Sequence, residues 1–531
     1  MADGSGQSIR GHSVIKYKLG RSIALSLACT VFSLPQAHGQ APGNWPLPHN
    51  DAEHSGWQKA ETKLSKDTVA GQFKFLWKIK LENKAKGPAS FSEPLLAPRL
   101  INAEGFKDLV IWGGRDTVYA VDSELGTMVW QKHFDVPAMR GTCGANPLPI
   151  LVEPPHIINF GARRTTGAPP PPPPPALAAG ARRVGSSAGG GGFGFRGIYI
   201  LTGDGYLHEQ ILSTGADFAP AVKFLPVHPG ISNGLNIEGN VLYATTTHGC
   251  GDAPNALWAI DLAAPDYPVT TYSTKNVNLQ ASMGAVLSGG VAYLVTGNGS
   301  ASDQVYPNSI VALRGKELKV KDWYTPAGDP GNLQNLAPVA FTFKQQEFLA
   351  APGKDGSFVL LDGKSLGGSD HRTPLFRTPG ISSAKPGWGG MTHWQDANGT
   401  SWILASVPGP LATEAKFETN NGPATHGSIV AFKVAEQDGK TVLVPAWSSP
   451  DLVNPAPPVV ANGVVIALSE GDRKTNARLY VLDATTGKQL YASGSEIATY
   501  AQMSGVSVGD SHAFFTTHDG MLYCFGIGME H

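Results

Sequence analysis

Apolar residues recur along this chain in short runs broken by turns, and the runs return in pairs. Val118-Tyr119-Ala120-Val121-Asp122 leads through a turn to Gly126 and then to Val129-Trp130. Leu479-Tyr480-Val481-Leu482-Asp483 leads through Ala-Thr-Thr to Gly487 and then to Leu490-Tyr491, with the same interval from Asp to aromatic. The pattern predicts a β-hairpin: an apolar strand ends at Asp, whose carboxylate bonds the turn backbone. Gly supplies a positive φ, and the aromatic lies on the return strand. Weaker copies run from Ala256 to Asp261 with a return at Tyr272, from Ser309 to Leu313 with Trp323, and from Phe358 to Asp362 with Phe376. Two more run from Ser428 to Phe432 with Trp447, and from Tyr206 to Leu212 with Gly215 and Phe224. A second apolar run precedes many copies, as in Leu109-Val110-Ile111-Trp112 and Val464-Val465-Ile466-Ala467.

The chain ends complete one another. Ala513-Phe514-Phe515 and Leu522-Tyr523-Cys524-Phe525 supply early strands of a copy that stops before its aromatic strand, and Phe73-Lys74-Phe75-Leu76-Trp77-Lys78-Ile79 supplies the missing one. The return aromatics are then Trp77, Trp130, Phe224, Tyr272, Trp323, Phe376, Trp447 and Tyr491. The predicted fold is all-β: an eight-bladed β-propeller of four-stranded antiparallel blades over residues 72–531, preceded by an extension at 40–71. Pairing of N- and C-terminal strands closes the ring and removes an exposed sheet edge.

Composition agrees with many short strands and tight turns. Gly (64) and Pro (41) are abundant, charged residues are 16% and hydrophobic residues 41% of 531. The net charge of −1 leaves no basic field, which disfavours nucleic acid as a partner. Residues 1–39 are expected to be a signal peptide: Arg10, Lys16, Lys18 and Arg21 form a basic region, Ser22 to Leu34 an apolar run, and Ala37-His38-Gly39 a small-residue cleavage site. The apolar run is too short to span a bilayer, so the mature chain is expected without a transmembrane segment, in the periplasm or secreted. Lipid anchoring at Cys29 is a lesser alternative. Cleavage after Gly39 leaves Cys143, Cys250 and Cys524. Cys143 and Cys250 lie in Gly-rich loop sequence and are the expected disulfide pair, while Cys524 falls in a strand and is expected in the core. The segment at about 161–195, with seven consecutive prolines from Pro169 to Pro175 and a Gly-rich stretch, is expected to be a low-complexity insert.

The repeated apolar–Asp–x–x–x–Gly–aromatic run resembles the pyrroloquinoline quinone (PQQ) repeat of quinoprotein alcohol dehydrogenases and related propellers, from about Phe73 to Phe525. In those enzymes the quinone lies over the propeller axis beside a calcium ion, and an Asp removes the alcohol proton. The resemblance implies candidate roles here. Val295-Thr296-Gly297-Asn298-Gly299 is similar to the segment whose Asn carbonyl binds calcium. Gly353-Lys354-Asp355-Gly356 is similar to the segment with a basic quinone contact. Gly390-Met391-Thr392-His393-Trp394 is similar to a cofactor-lining segment, with His393 in place of Asn.

Departures bear on activity. Where the family carries the catalytic Asp, this chain has Trp323-Tyr324-Thr325-Pro326-Ala327-Gly328-Asp329-Pro330-Gly331, so Gly331 takes the aligned position and Asp329, two residues away, is the candidate base. The vicinal cysteine lid is reduced to Cys143, the stacking Trp is absent from Ser282-Met283-Gly284-Ala285-Val286, and no counterpart of the calcium-binding Glu stands out. Each retained residue also suits a turn or rim position. The expected function is an exported scaffold presenting its faces to an unidentified protein or small ligand, with a divergent PQQ- and calcium-dependent alcohol or sugar dehydrogenase as the alternative.

Overall fold

The structure is a computed structural model, and it describes residues 43–81, 91–102, 105–135, 147–153, 197–226, 231–247, 253–279, 283–327, 336–353, 355–382, 389–501, 503 and 505–528. Eight sheets share one plan, with four antiparallel strands, here A to D, meandering outward; two of them carry short parallel additions, Trp57–Gln58 on one and Leu336–Ala337 and Thr419–Asn420 on the other. Blade 1, for example, comprises Leu95–Asn102, Gly105–Gly113, Thr117–Asp122 and Met128–His133. The A strands are Leu95–Asn102, Ile150–Val152, Ile231–Glu238, Val286–Ser288, Val339–Phe343, Gly389–Gln395, Val459–Ala461 and Ser507–Gly509. Each touches the next around a ring, and the eighth touches the first. In blade 8, Phe73–Lys80 is the D strand and pairs antiparallel with Met521–Ile527, Trp77 lying opposite Cys524. The closure expected from the sequence is therefore present. Cys524 is a fully buried free thiol in the core. Among the described residues no helix is long and apolar enough to cross a membrane.

The repeat motif acts locally as expected. Asp122 Oδ1 accepts the N–H groups of Glu124 and Leu125 at 3.0 Å each, Asp483 Oδ1 that of Thr485 at 2.8 Å, and Gly126 and Gly487 have φ of 65° and 72°. The glycine has a second duty that lies between blades. The indole of the preceding blade lies flat over it: a methyl group at Gly126 would come 2.6 Å from Trp77, at Gly215 2.7 Å from Trp130, and at Gly487 2.4 Å from Trp447. The Trp447 indole N–H also donates to the Ala484 carbonyl at 3.0 Å, and Trp447 is fully buried. Trp447→Ala is expected to lower the unfolding free energy by about 3–5 kcal/mol, the range for deleting a buried large aromatic. A denaturant midpoint shift with an unchanged slope checks this.

Residues 43–61 are integral to the propeller. This segment threads the axis and bonds the A strand of every blade in turn. Trp45 exchanges two backbone bonds with Leu96 (3.0 and 2.9 Å), and the Pro46 carbonyl accepts from Val152 (2.9 Å). The Ala52 carbonyl accepts from Asn236 Nδ2 (3.0 Å) and from the Leu287 N–H (2.8 Å). Glu53, Ser55 and Gly56 carbonyls accept from Ala340 (3.2 Å), His393 (2.9 Å) and Val460 (2.9 Å), and Gln58 Nε2 donates to Val508 (3.2 Å). Inner strands of a ring have no neighbour on the axial side, so their backbone groups need another partner. The segment supplies it.

Candidate functional site

Antiparallel strands fix two faces. A–B and C–D turns emerge on one, and B–C and D–A connections on the other. Asn298 follows the B strand Val291–Val295, so it lies at the B–C/D–A face. The connections carrying Asp329, Lys354, Cys143 and Cys250 leave described strands at this same face, but those four residues lie outside the described residues. Asn298 is exposed, and its carbonyl accepts the Asn278 N–H at 3.0 Å while Gly297 donates to the Asn278 carbonyl at 2.6 Å. It joins two neighbouring loops, as a turn residue does.

His393 and Trp394 are placed differently from the expectation that they line a cofactor. Successive side chains of a strand face opposite sides. His393 turns towards blade 5, stacked on Phe341 with ring centroids 4.7 Å apart, and its Nε2 bonds Ser401 Oγ at 2.8 Å. Burial, assisted by nearby Lys59, lowers its pKa to about 3, so it is a neutral packing residue. Trp394 turns the other way and stacks on Trp402 at 6.0 Å within the hydrophobic cluster that also holds Trp447. Inter-blade packing has taken both side chains. Among the described residues, those proposed for the quinone and its calcium therefore do not assemble a fitting site.

The axis carries ionisable groups that the repeat pattern did not reveal. Glu93, just ahead of the first A strand and so on the D–A side, accepts the Trp45 indole N–H at 2.7 Å and the His49 backbone N–H at 2.8 Å, both on Oε1. Burial raises its pKa to about 8. Glu53 is raised to about 7, by burial first and by Asp51 second. His49 and His54 are fully enclosed, and burial lowers their pKa values to about 4 and about 3. His49 Nε2 lies 3.2 Å from the Met391 carbonyl. The cluster His49-Asn50-Asp51-Ala52-Glu53-His54 is unusually polar for a segment that ends at the core. Its density of ionisable groups was the available signal.

Two other features stand apart. Asp108, Glu124 and Asp510 offer carboxylate oxygens within 4.8 Å of one another. Glu124 is in the C–D turn of blade 1 and Asp510 in the A–B turn of blade 8, so the cluster lies on the face opposite Asn298 and is distinct from the site expected from the sequence. Burial, then Asp510 and Asp108, raise the Glu124 pKa to about 7. A peripheral cleft between blades 1 and 2 is lined by Lys132, Phe134, His208 and Asp217, with Lys132 paired to Asp217 at 3.2 Å.

No known family profile matches the sequence, and no curated protein does. Solved structures do match. The quinohemoprotein alcohol dehydrogenase of Comamonas testosteroni superimposes with a TM-score of 0.52 at 13% identity, covering 92% of this chain and 81% of that one. The quinohemoprotein alcohol dehydrogenase ADHIIG of Pseudomonas putida HK5 gives 0.53 at 14%, with the same coverages of 92% and 81%. A europium-containing methanol dehydrogenase gives 0.51 at 12%, covering 92% and 98%. The eight-bladed fold of this chain is thus shared with these quinohemoprotein alcohol dehydrogenases and with the europium-containing methanol dehydrogenase.

Proposed function

We propose, from that shared fold, that the chain is an exported, divergent oxidoreductase of the quinoprotein type, acting on an alcohol or a sugar at its B–C/D–A face. The observation that carries this reading is architectural: 92% of the chain follows the dehydrogenase ring. That Asn298 and the connections carrying Asp329 and Lys354 belong to one face supports it further. PQQ, when bound, would supply hydride acceptance. No step is assigned through it, because His393 and Trp394 do not fit as its contacts. The chain's own contribution at this face is Glu93, a carboxyl whose raised pKa suits it to hold and release a proton near neutral pH. Alcohol oxidation needs a base to take the hydroxyl proton, and a carboxyl with a pKa of about 8 serves in its ionised form.

A second reading, a scaffold that binds a partner, is favoured by the packing of His393 between blades and of Trp394 in the core.

The two readings separate in one experiment. The purified chain is titrated with PQQ in the presence of calcium, and dye reduction is followed with a panel of alcohols and sugars. On the oxidoreductase reading, saturable quinone binding and turnover of at least one substrate are expected, through residues other than His393 and Trp394. Glu93→Gln is expected to keep quinone binding and to cut turnover by about 10²-fold or more. Failure to bind the quinone saturably returns the chain to the scaffold reading. Protein recovered from the periplasm or medium is expected to begin at Gln40 on N-terminal sequencing.

A further inference from the structure

We propose that the seam between blades 8 and 1 binds one divalent transition-metal cation of the Mn²⁺ or Zn²⁺ class, held by Asp108, Glu124, Asp510 and Nδ1 of His512. Two independent observations converge there. The first is the gathering of carboxylate oxygens within 4.8 Å. Two side-chain cations act on them: Lys63, whose Nζ lies 3.2 Å from Asp510 Oδ1, and Arg99, whose charge acts on Asp108. The Arg99 backbone N–H donates to Asp108. Three like charges at this separation repel strongly in a partly enclosed site, and a divalent ion converts that repulsion into attraction.

The second observation is His512. Its side chain is only 2% exposed, and Nδ1 lies 3.7 Å from Glu124 Oε1, beyond hydrogen-bonding distance. No hydrogen bond of ordinary geometry reaches this nitrogen, although the Asp510 backbone lies close enough to act on the ring. A buried polar atom left unpaired costs free energy, and a native structure rarely tolerates one without a reason such as an ion. The nitrogen faces Glu124, one of the three mutually close carboxylates, so His512 reaches the cluster from the Glu124 side. The Asp510–His512 turn is held by Glu61, whose Oε2 accepts the Ser511 N–H at 2.8 Å.

Ligand chemistry sets the class of ion. Calcium takes oxygen donors in a large shell, whereas a mixed carboxylate and imidazole set suits Mn²⁺ or Zn²⁺. Two ligands belong to blade 1 and two to blade 8, so binding ties together the sheets that close the ring. The site does not rest on the quinone reading. It lies on the opposite face and can be tested with no quinone present.

The test uses the full-length chain stripped of metal, titrated separately with Mn²⁺, Zn²⁺ and Ca²⁺ by calorimetry and thermal melting. One Mn²⁺ or Zn²⁺ per chain is expected, with calcium weaker by roughly tenfold or more and a melting temperature that rises with ion concentration. His512→Gln and Asp510→Asn are each expected to weaken binding by about tenfold or more. Should Asp510→Asn not fold, Glu124→Gln, in a turn at the rim, replaces it. On the unaltered protein, the electron spin-echo modulation of bound Mn²⁺ is expected to show a directly coordinated ¹⁴N. The proposal is overturned if neither Mn²⁺ nor Zn²⁺ binds saturably below about 1 mM, if calcium binds as well as they do, if the variants bind like the parent, or if bound Mn²⁺ shows no nitrogen coupling.

Discussion

A chain beginning at Lys59, lacking residues 43–58, is expected not to form a stable ring. The truncation removes Trp45, which is fully buried, together with the nearly buried Leu47. It also removes the backbone and Gln58 bonds that satisfy the A strand of every blade. Loss of a buried large aromatic alone costs about 3–5 kcal/mol. Each inner-strand group left unpaired adds up to roughly 1–3 kcal/mol where water cannot reach it, and less where the opened channel hydrates. Total stability of folded proteins is about 5–15 kcal/mol, so the sum exceeds what the ring can spare. The measurement is recovery of soluble, cooperatively melting protein. A truncated chain melting within a few degrees of the parent would show that the axial segment is ancillary.

Acid is expected to unfold the protein steeply below about pH 4.5, because three enclosed imidazoles must then accept protons. His49, His54 and His393 have folded pKa values of about 4, 3 and 3, against 6.5 in the unfolded chain. A depressed histidine contributes fully above its unfolded value, and the contribution is lost as pH falls towards the folded one. Glu93 and Glu53 have the opposite sign. With folded pKa values of about 8 and 7 against 4.5, they contribute fully below pH 4.5 and lose that contribution as pH rises. From pH 4.5 to 6.5 these two carboxyls, with Glu124 raised to about 7, offset the three imidazoles, which leaves stability nearly level with pH. Below 4.5 no such offset remains, and stability should drop by roughly 5 kcal/mol by pH 3. Denaturant unfolding at pH 7, 5.5, 4 and 3.5 measures this directly. His393→Phe keeps the stack on Phe341, and it is expected to remove roughly 2 kcal/mol of that acid-induced loss.

The placement of His393 explains why the site was harder to read than the fold. In sequence, His393-Trp394 stands where a related segment lines a cofactor. The outcome depended on what lay opposite in space. Phe341 and Ser401 captured the imidazole, and Trp402 captured the indole. Neither partner is near enough in pattern to announce itself. Glu93 shows the converse. It belongs to no repeat, and only the arrival of Trp45 and His49 above it makes it a buried carboxyl.

By itself, the sequence determined the blades, their number and the closure. Strand alternation, Asp-capped turns and glycines at positive φ are local, short-range preferences, and eight registered copies of them left one ring as the arrangement without an open edge. Only the tertiary structure decided that Trp77, Trp130 and Trp447 each cover the next blade's glycine, and that residues 43–61 thread the axis. It also brought Asp108, Glu124, Asp510 and His512 to one seam, and it packed His393 between blades and Trp394 into the core. Those outcomes depend on contacts between residues hundreds of positions apart, where desolvation and mutual charge set the chemistry and no local pattern encodes them.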